Sequence, residues 1–111
     1  MEFLVKTIEF PQSLDHEATE QFYQQADAAI AAGADVVLVD FDAVEFISSP
    51  GLMALVVVFK RVREAERKLF ICSINEQVKM LLELTGMDQV FEVVDRPSEV
   101  SNIPGSFAVA P

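Results

Sequence analysis

Two kinds of hydrophobic spacing alternate along this chain. Residues 3–10 set Phe3, Val5, Ile8 and Phe10 among Lys6, Thr7 and Glu9 and stop at Pro11, which predicts a strand. From Asp15 the apolar spacing widens to three and four residues. Ala18, Phe22, Ala26, Ala29 and Ile30 then share one helical face, Glu17 and Glu20 lie in the first turn, and Gly33 supplies the stop. Residues 35–41 contain Val36-Val37-Leu38-Val39, a β-branched run expected of a strand buried on both faces. A turn at Asp42-Ala43 leads through the apolar stretch 44–47 to Ser48-Ser49-Pro50-Gly51. A second helix is predicted from there to about Arg67, with Leu52, Leu55, Val56, Phe59 and Val62 facing inward. Residues 68–74 predict a third strand. Asn75 caps a third helix through Val78, Leu81, Leu82 and Thr85, Gly86 ends it, and residues 89–94 predict a last short strand.

Strand-helix-strand crossovers return the chain in the same direction, so this order predicts an α/β sandwich with parallel pairings. At 111 residues, 51% of them hydrophobic, the chain is long enough for one core and too short for a second. The domain is expected at residues 1–94. Residues 95–111 carry Pro97, Pro104 and Pro111 with little periodicity and are expected to form a flexible C-terminal tail with at most a short helical turn.

Charge narrows the function. Eighteen acidic residues against eight basic give a net charge of −10, and no contiguous basic run exceeds Lys60-Arg61. Direct nucleic-acid binding, which needs a basic stripe to neutralise phosphates, is not expected. The longest apolar stretch, residues 52–59, is under half of the roughly 18 residues a membrane span requires. Nor does Met1-Glu2-Phe3 offer the basic start of an export signal. A cytoplasmic location without membrane contact is expected.

Candidate chemistry is sparse. Cys72 lies in the run Leu69-Phe70-Ile71-Cys72, away from cationic groups, and reads as a small core residue rather than a nucleophile. His16, the only histidine, falls at the start of a polar helix and reads as a surface residue; no metal site and no catalytic triad can be assembled around it. The four glycines stand singly, so no phosphate-cradling loop is present and no cofactor is expected. Asp40 and Asp42, at the C-terminal end of a strand where open sheets place ligands, offer two carboxylates that also read as a solvated strand end.

Ser48-Ser49-Pro50-Gly51 has a sharper physical reading. Ser49 is expected to be the N-cap, its hydroxyl accepting the Leu52 N–H, with Pro50 at the first helical position. Capping alone accounts for these residues. An exposed serine at a helix start is also a good place for a phosphate, whose added charge of roughly 1.5 to 2 would transform the local surface. Met53 and Val57 fall one and two turns further along, outside the inward stripe. They face either a neighbouring element or a partner.

The run from Val36-Val37-Leu38-Val39-Asp40-Phe41-Asp42 through Ala43-Val44-Glu45-Phe46-Ile47, then Ser48-Ser49-Pro50-Gly51-Leu52, and later Leu82-Glu83-Leu84-Thr85-Gly86-Met87 and Phe91, resembles STAS domains. Within them it resembles the bacterial anti-sigma factor antagonists, over about residues 3–94 and including Leu14-Asp15 before the first helix. The resemblance implies a mixed sheet of about four strands with helices largely on one side. It also implies a switch rather than an enzyme. Unphosphorylated, such a protein binds an anti-sigma factor that is a serine kinase. Phosphorylated, it lets go, and a serine phosphatase resets it. Ser49 falls on the phosphoacceptor position, with Ser48 as second choice. Ser48 stands where the family usually has aspartate, and Pro50 where it has a second hydroxyl.

The expected partner surface is Ser48, Ser49, Pro50, Gly51, Met53 and Val57, with Asp15 and Asp42 at its edge. Its acidic surroundings suit a partner with a basic docking patch. Two other classes remain open at this level: a phosphorylation-independent STAS scaffold or transporter-associated subunit, and a small-ligand carrier or hydrolase using Asp40 and Asp42.

Overall fold

The structure is a computed structural model and describes residues 4–12 and 15–94. Its elements alternate as the spacing predicts: β1 (Val5–Glu9), α1 (His16–Ala31), β2 (Val36–Asp40), α2 (Ser49–Glu64), β3 (Lys68–Cys72), α3 (Glu76–Thr85), a 3-10 turn (Met87–Gln89) and β4 (Glu92–Val94). The sheet order is β1-β2-β3-β4, and all three pairings are parallel. Val36 lies opposite both Val5 and Lys68, and Phe70 opposite Glu92. The predicted tail, residues 95–111, lies outside the described residues.

Alternate residues of a strand point to opposite faces, and the two faces here have different cores. Val37, Val39, Leu69 and Ile71 face the helices, packing with Phe22, Ala26, Leu55, Val58, Val78 and Leu82. Val36, Leu38, Phe70, Cys72 and Val94 form a smaller buried cluster on the other face, to which no described helix contributes. All three helices therefore cover one side. The β-branched run of β2 is buried on both faces, as a central strand requires.

The helix ends follow from local chemistry. Asp15 caps α1 by accepting the Ala18 N–H at 2.7 Å, and Gly33 follows the helix at φ +87°. There the Gly33 N–H bonds the Ile30 carbonyl and the Ala34 N–H bonds that of Ala29, the paired bonds of a left-handed stop. α2 stops in the same way but without a glycine. Glu66 takes φ +60°, its N–H bonds Arg63, and the Arg67 N–H reaches back to Val62. The helix accordingly ends at Glu64 rather than near Arg67.

Two further expectations are corrected. The buried face of α2 is Gly51, Ala54, Leu55, Val58 and Val62, with Leu52, Val56 and Phe59 only partly buried at its flank. Small residues mark where this helix packs most closely, and a stripe drawn from large side chains alone is rotated away from them. β4 begins at Glu92, not Gln89, because the 3-10 turn after the left-handed Gly86 takes up residues 87–89. At the N-terminal edge of the sheet, the Asp35 carboxylate ties two strands to a third. One oxygen accepts the Leu4 N–H at 2.8 Å, before β1, and the other pairs with Arg67 at 3.4 Å, before β3.

Candidate functional site

In a parallel sheet crossed by helices on one side, every strand ends where a helix begins. The C-terminal edge here gathers the ends of β1, β2 and β3 and the N-termini of α1, α2 and α3, capped by Asp15, Ser48 and Asn75. Each N-terminus carries a partial positive charge. Beneath this edge, Phe10 stacks on Phe41 with ring centroids 4.6 Å apart and meets Phe22 edge-on at 5.2 Å. The loop joining β2 to α2 thus leaves a rigid floor.

That loop, residues 41–48, is built by short-range bonds. The Asp42 N–H donates to Asp40 Oδ1 at 2.9 Å, and the Val44 N–H donates to the Phe41 carbonyl at 2.9 Å. One Asp40 oxygen is therefore occupied in forming a turn. Val44 and Ile47 are buried, whereas Phe46 is 69% exposed. Asn75 holds the loop from α3: its Nδ2 donates to the Val44 and Glu45 carbonyls at 3.2 and 2.7 Å, while its Oδ1 caps α3 by accepting the Val78 N–H at 2.9 Å.

Ser48, not Ser49, is the N-cap of α2. Its Oγ accepts the Gly51 N–H at 3.2 Å, and its carbonyl accepts that of Leu52 at 2.9 Å, the first bond of the helix. The shift has a simple cause. With Ser48 as cap, Pro50 falls at the second helical position, where its missing N–H wastes no donor, and the cap hydroxyl takes the next N–H along. Ser49 becomes the first helical residue. Its side chain is exposed, as is Pro50, while Ser48 is half-buried and Gly51 buried beneath them.

Ser49, Met53 and Val57 follow at four-residue intervals and so form one ridge of α2. Met53 is 61% exposed and Val57 half-buried. Asp42 sits exposed in the loop just before this ridge. Asp15 lies at the same sheet edge, but its carboxylate is engaged in capping α1. Sequence reasoning missed Phe46, hidden in an apolar run that reads as core, and the tether from Asn75, which reads only as a cap. His16 is exposed at the start of α1. Cys72 is fully buried, and burial pushes its thiol up to about 11. A hydrogen bond with Ser73 opposes the rise, and the Asp40 carboxylate adds to it. Among the described residues, no group of three or more His, Cys, Asp or Glu side chains is arranged to hold a metal ion. No described helix is long and apolar enough to cross a membrane.

The family model of the STAS domain matches residues 4–100. The chain belongs to the STAS family. Among curated relatives it is 28% identical over 76 residues to BtrV of Bordetella bronchiseptica, assigned as an anti-sigma factor antagonist; the match spans 68% of this chain and 66% of that one. A solved anti-sigma factor antagonist domain from Planctomyces limnophilus is 30% identical, with 86% of each chain covered and a TM-score of 0.70. SpoIIAA in its unphosphorylated form shares the fold at a TM-score of 0.71 and 15% identity, covering 94% of this STAS chain and 91% of its own. Its phosphorylated form superposes at 0.67 and 14% identity, covering 91% and 92%.

Proposed function

We propose that this STAS protein is a phosphorylation-switched binding module, an antagonist that holds a serine-kinase anti-sigma factor while Ser49 is unmodified. The observation that carries the reading is the exposed Ser49 hydroxyl at the head of an apolar ridge, with the exposed Phe46 three residues before it in the loop. A solvated serine gives a kinase access, and Met53, Val57 and Phe46 give a partner apolar surface to bury. Greater exposure favours Ser49 over Ser48, whose hydroxyl is engaged with the Gly51 N–H. The domain is residues 1–94, and its setting is the cytoplasm.

Release follows from charge. Asp40, Asp42 and Glu45 already make the preceding loop acidic, and a phosphate on Ser49 adds roughly 1.5 to 2 negative charges to it. In a closed interface that group must either lose its water or find cations, so the partner dissociates and a serine phosphatase resets the module. The protein itself performs no catalysis.

Pro50 favours a second reading. It removes one N–H from the first turn, and the Gly51 N–H already serves Ser48, which leaves the helix start poorer in donors for a phosphate. A phosphorylation-independent STAS scaffold or transporter-associated subunit would have no need of them. Immobilised wild type, Ser49→Ala and Ser49→Asp proteins, each exposed to native lysate, distinguish the two. The switch predicts that Ser49→Ala keeps the kinase-type partner and Ser49→Asp loses it. Equal retention by both variants would establish the scaffold.

A further inference from the structure

Five of the eight basic residues of this acidic chain, Lys60, Arg61, Arg63, Arg67 and Lys68, fall within nine positions at the end of α2 and the start of β3. Arg61 is accounted for: it pairs with Asp27 at 2.9 Å and lies over the Tyr23 ring at 4.8 Å. Three of the others line a cleft of about 320 Å³ between the last turns of α2, the start of β3 and the approach to β4. Arg63, Arg67 and Lys68 supply its charge; Phe59, Leu69 and Val90 supply apolar wall. Phe59 is braced edge-on against Phe91, with ring centroids 5.3 Å apart.

These cations are poorly neutralised. Among the described residues Arg63 and Lys68 make no ion pair, and Arg67 has only the long 3.4 Å contact to Asp35, whose other oxygen already accepts the Leu4 N–H. The Nε of Arg67 is buried with no hydrogen-bond partner among the described residues. The helix dipole explains cations in the last turn of α2, but Arg67 and Lys68 lie beyond the helix. Among the described lining residues Glu92 is the one carboxylate, and it forms no ion pair with any of the three.

We propose that this cleft is a binding site for a small organic anion, a phosphate or carboxylate head joined to a compact apolar body. The head would take charge-assisted bonds from Arg63, Arg67 and Lys68, while the body lies against Phe59, Leu69 and Val90. The volume is at the lower end of ligand pockets, roughly 300–1,000 Å³, and admits about a dozen heavy atoms rather than a macromolecule. The site is at the end of α2 opposite Ser49 and does not depend on the switch.

The test is a two-dimensional amide NMR titration of the full chain with phenyl phosphate, with inorganic phosphate and benzyl alcohol as its separated halves. The expected result is saturable shifts confined to the amides around Phe59, Arg63, Lys68 and Val90, with phenyl phosphate binding roughly tenfold or more tighter than either half. Arg63→Gln and Lys68→Gln, at exposed positions where folding is spared, should each weaken it by roughly tenfold, and Lys79→Gln, on α3, should not. Equal binding of inorganic phosphate and phenyl phosphate, or shifts spread over all basic residues, would leave an adventitious counter-ion only and overturn the proposal. Binding of a poly-glutamate peptide without binding of phenyl phosphate would overturn it in favour of a protein partner.

Discussion

Asn75 makes three hydrogen bonds with one exposed amide, and its substitution measures how firmly the serine loop is held. Its Oδ1 caps α3, and its Nδ2 reaches the Val44 and Glu45 carbonyls at 3.2 and 2.7 Å. Asn75→Ala removes all three. Loss of a cap costs about 1 kcal/mol, and the two amide-carbonyl bonds, that to Val44 part-buried and that to Glu45 exposed, each contribute a net of roughly 0.5 kcal/mol or more. The sum is about 2 kcal/mol, a large part of the roughly 5–15 kcal/mol that holds a domain together. Asn75→Asp separates the two roles, because aspartate caps as well as asparagine but cannot donate to carbonyls. It should cost about 1 kcal/mol. Urea unfolding followed by circular dichroism reads both values, provided the slope with denaturant is unchanged. An Asn75→Asp variant as stable as wild type, with the amide resonances of residues 45–47 unmoved, would refute the tether.

Other consequences follow from the same structure. Gly33 and Glu66 both hold left-handed conformations at helix ends, so Gly33→Ala should destabilise and Glu66→Gly stabilise, each by roughly 1 kcal/mol, as thermal melts will report. Leu55→Ala, at a fully buried position, should cost roughly 3 kcal/mol in urea unfolding. Met53→Ala should stay within about 0.5 kcal/mol of wild type while weakening partner capture. The Cys72 thiol keeps its proton to about pH 11 when folded, against an ordinary thiol value of 9.0. The unfolded chain therefore binds fewer protons between those values, and stability falls as pH rises through them, by at most about 1.4 kcal/mol per unit from this group. Cys72→Ala should remove that part of the slope, and at pH 8 a disulfide reagent should modify the wild type only as fast as it unfolds.

The alternation of spacings makes the architecture legible from the sequence: four strands, three crossover helices and parallel pairing follow from it, and β2 declares itself central by its nearly continuous β-branched run. Asp15 and Asn75 are readable as caps because each is a good acceptor just ahead of a helical period. Ser48 is not. Two adjacent serines before a proline allow the helix to begin at either, and only the hydrogen bonds to Gly51 and Leu52 decide it. The inward face of α2 is misjudged for a related reason, since Gly51 and Ala54 are buried for being small, a property hydrophobicity does not register. The Asn75 tether depends on residues some thirty positions apart meeting across the sheet edge, and no local pattern encodes that; Phe46 is missed because an aromatic ring between Val44 and Ile47 reads as core. The basic cleft is invisible as a site because its cations are interrupted in sequence by Glu64 and Glu66 and converge only where β3 begins beside the end of α2.

We propose Ser49 as a charge switch for a protein partner. The switch is tested most directly by isolating the protein from its own cells, mapping phosphate by mass spectrometry and comparing what co-purifies with the modified and unmodified forms. Such a switch should show phosphate on Ser49 and a kinase-type partner enriched only on the unmodified form. A partner bound equally to the protein under growth conditions where neither Ser48 nor Ser49 ever carries phosphate would contradict it.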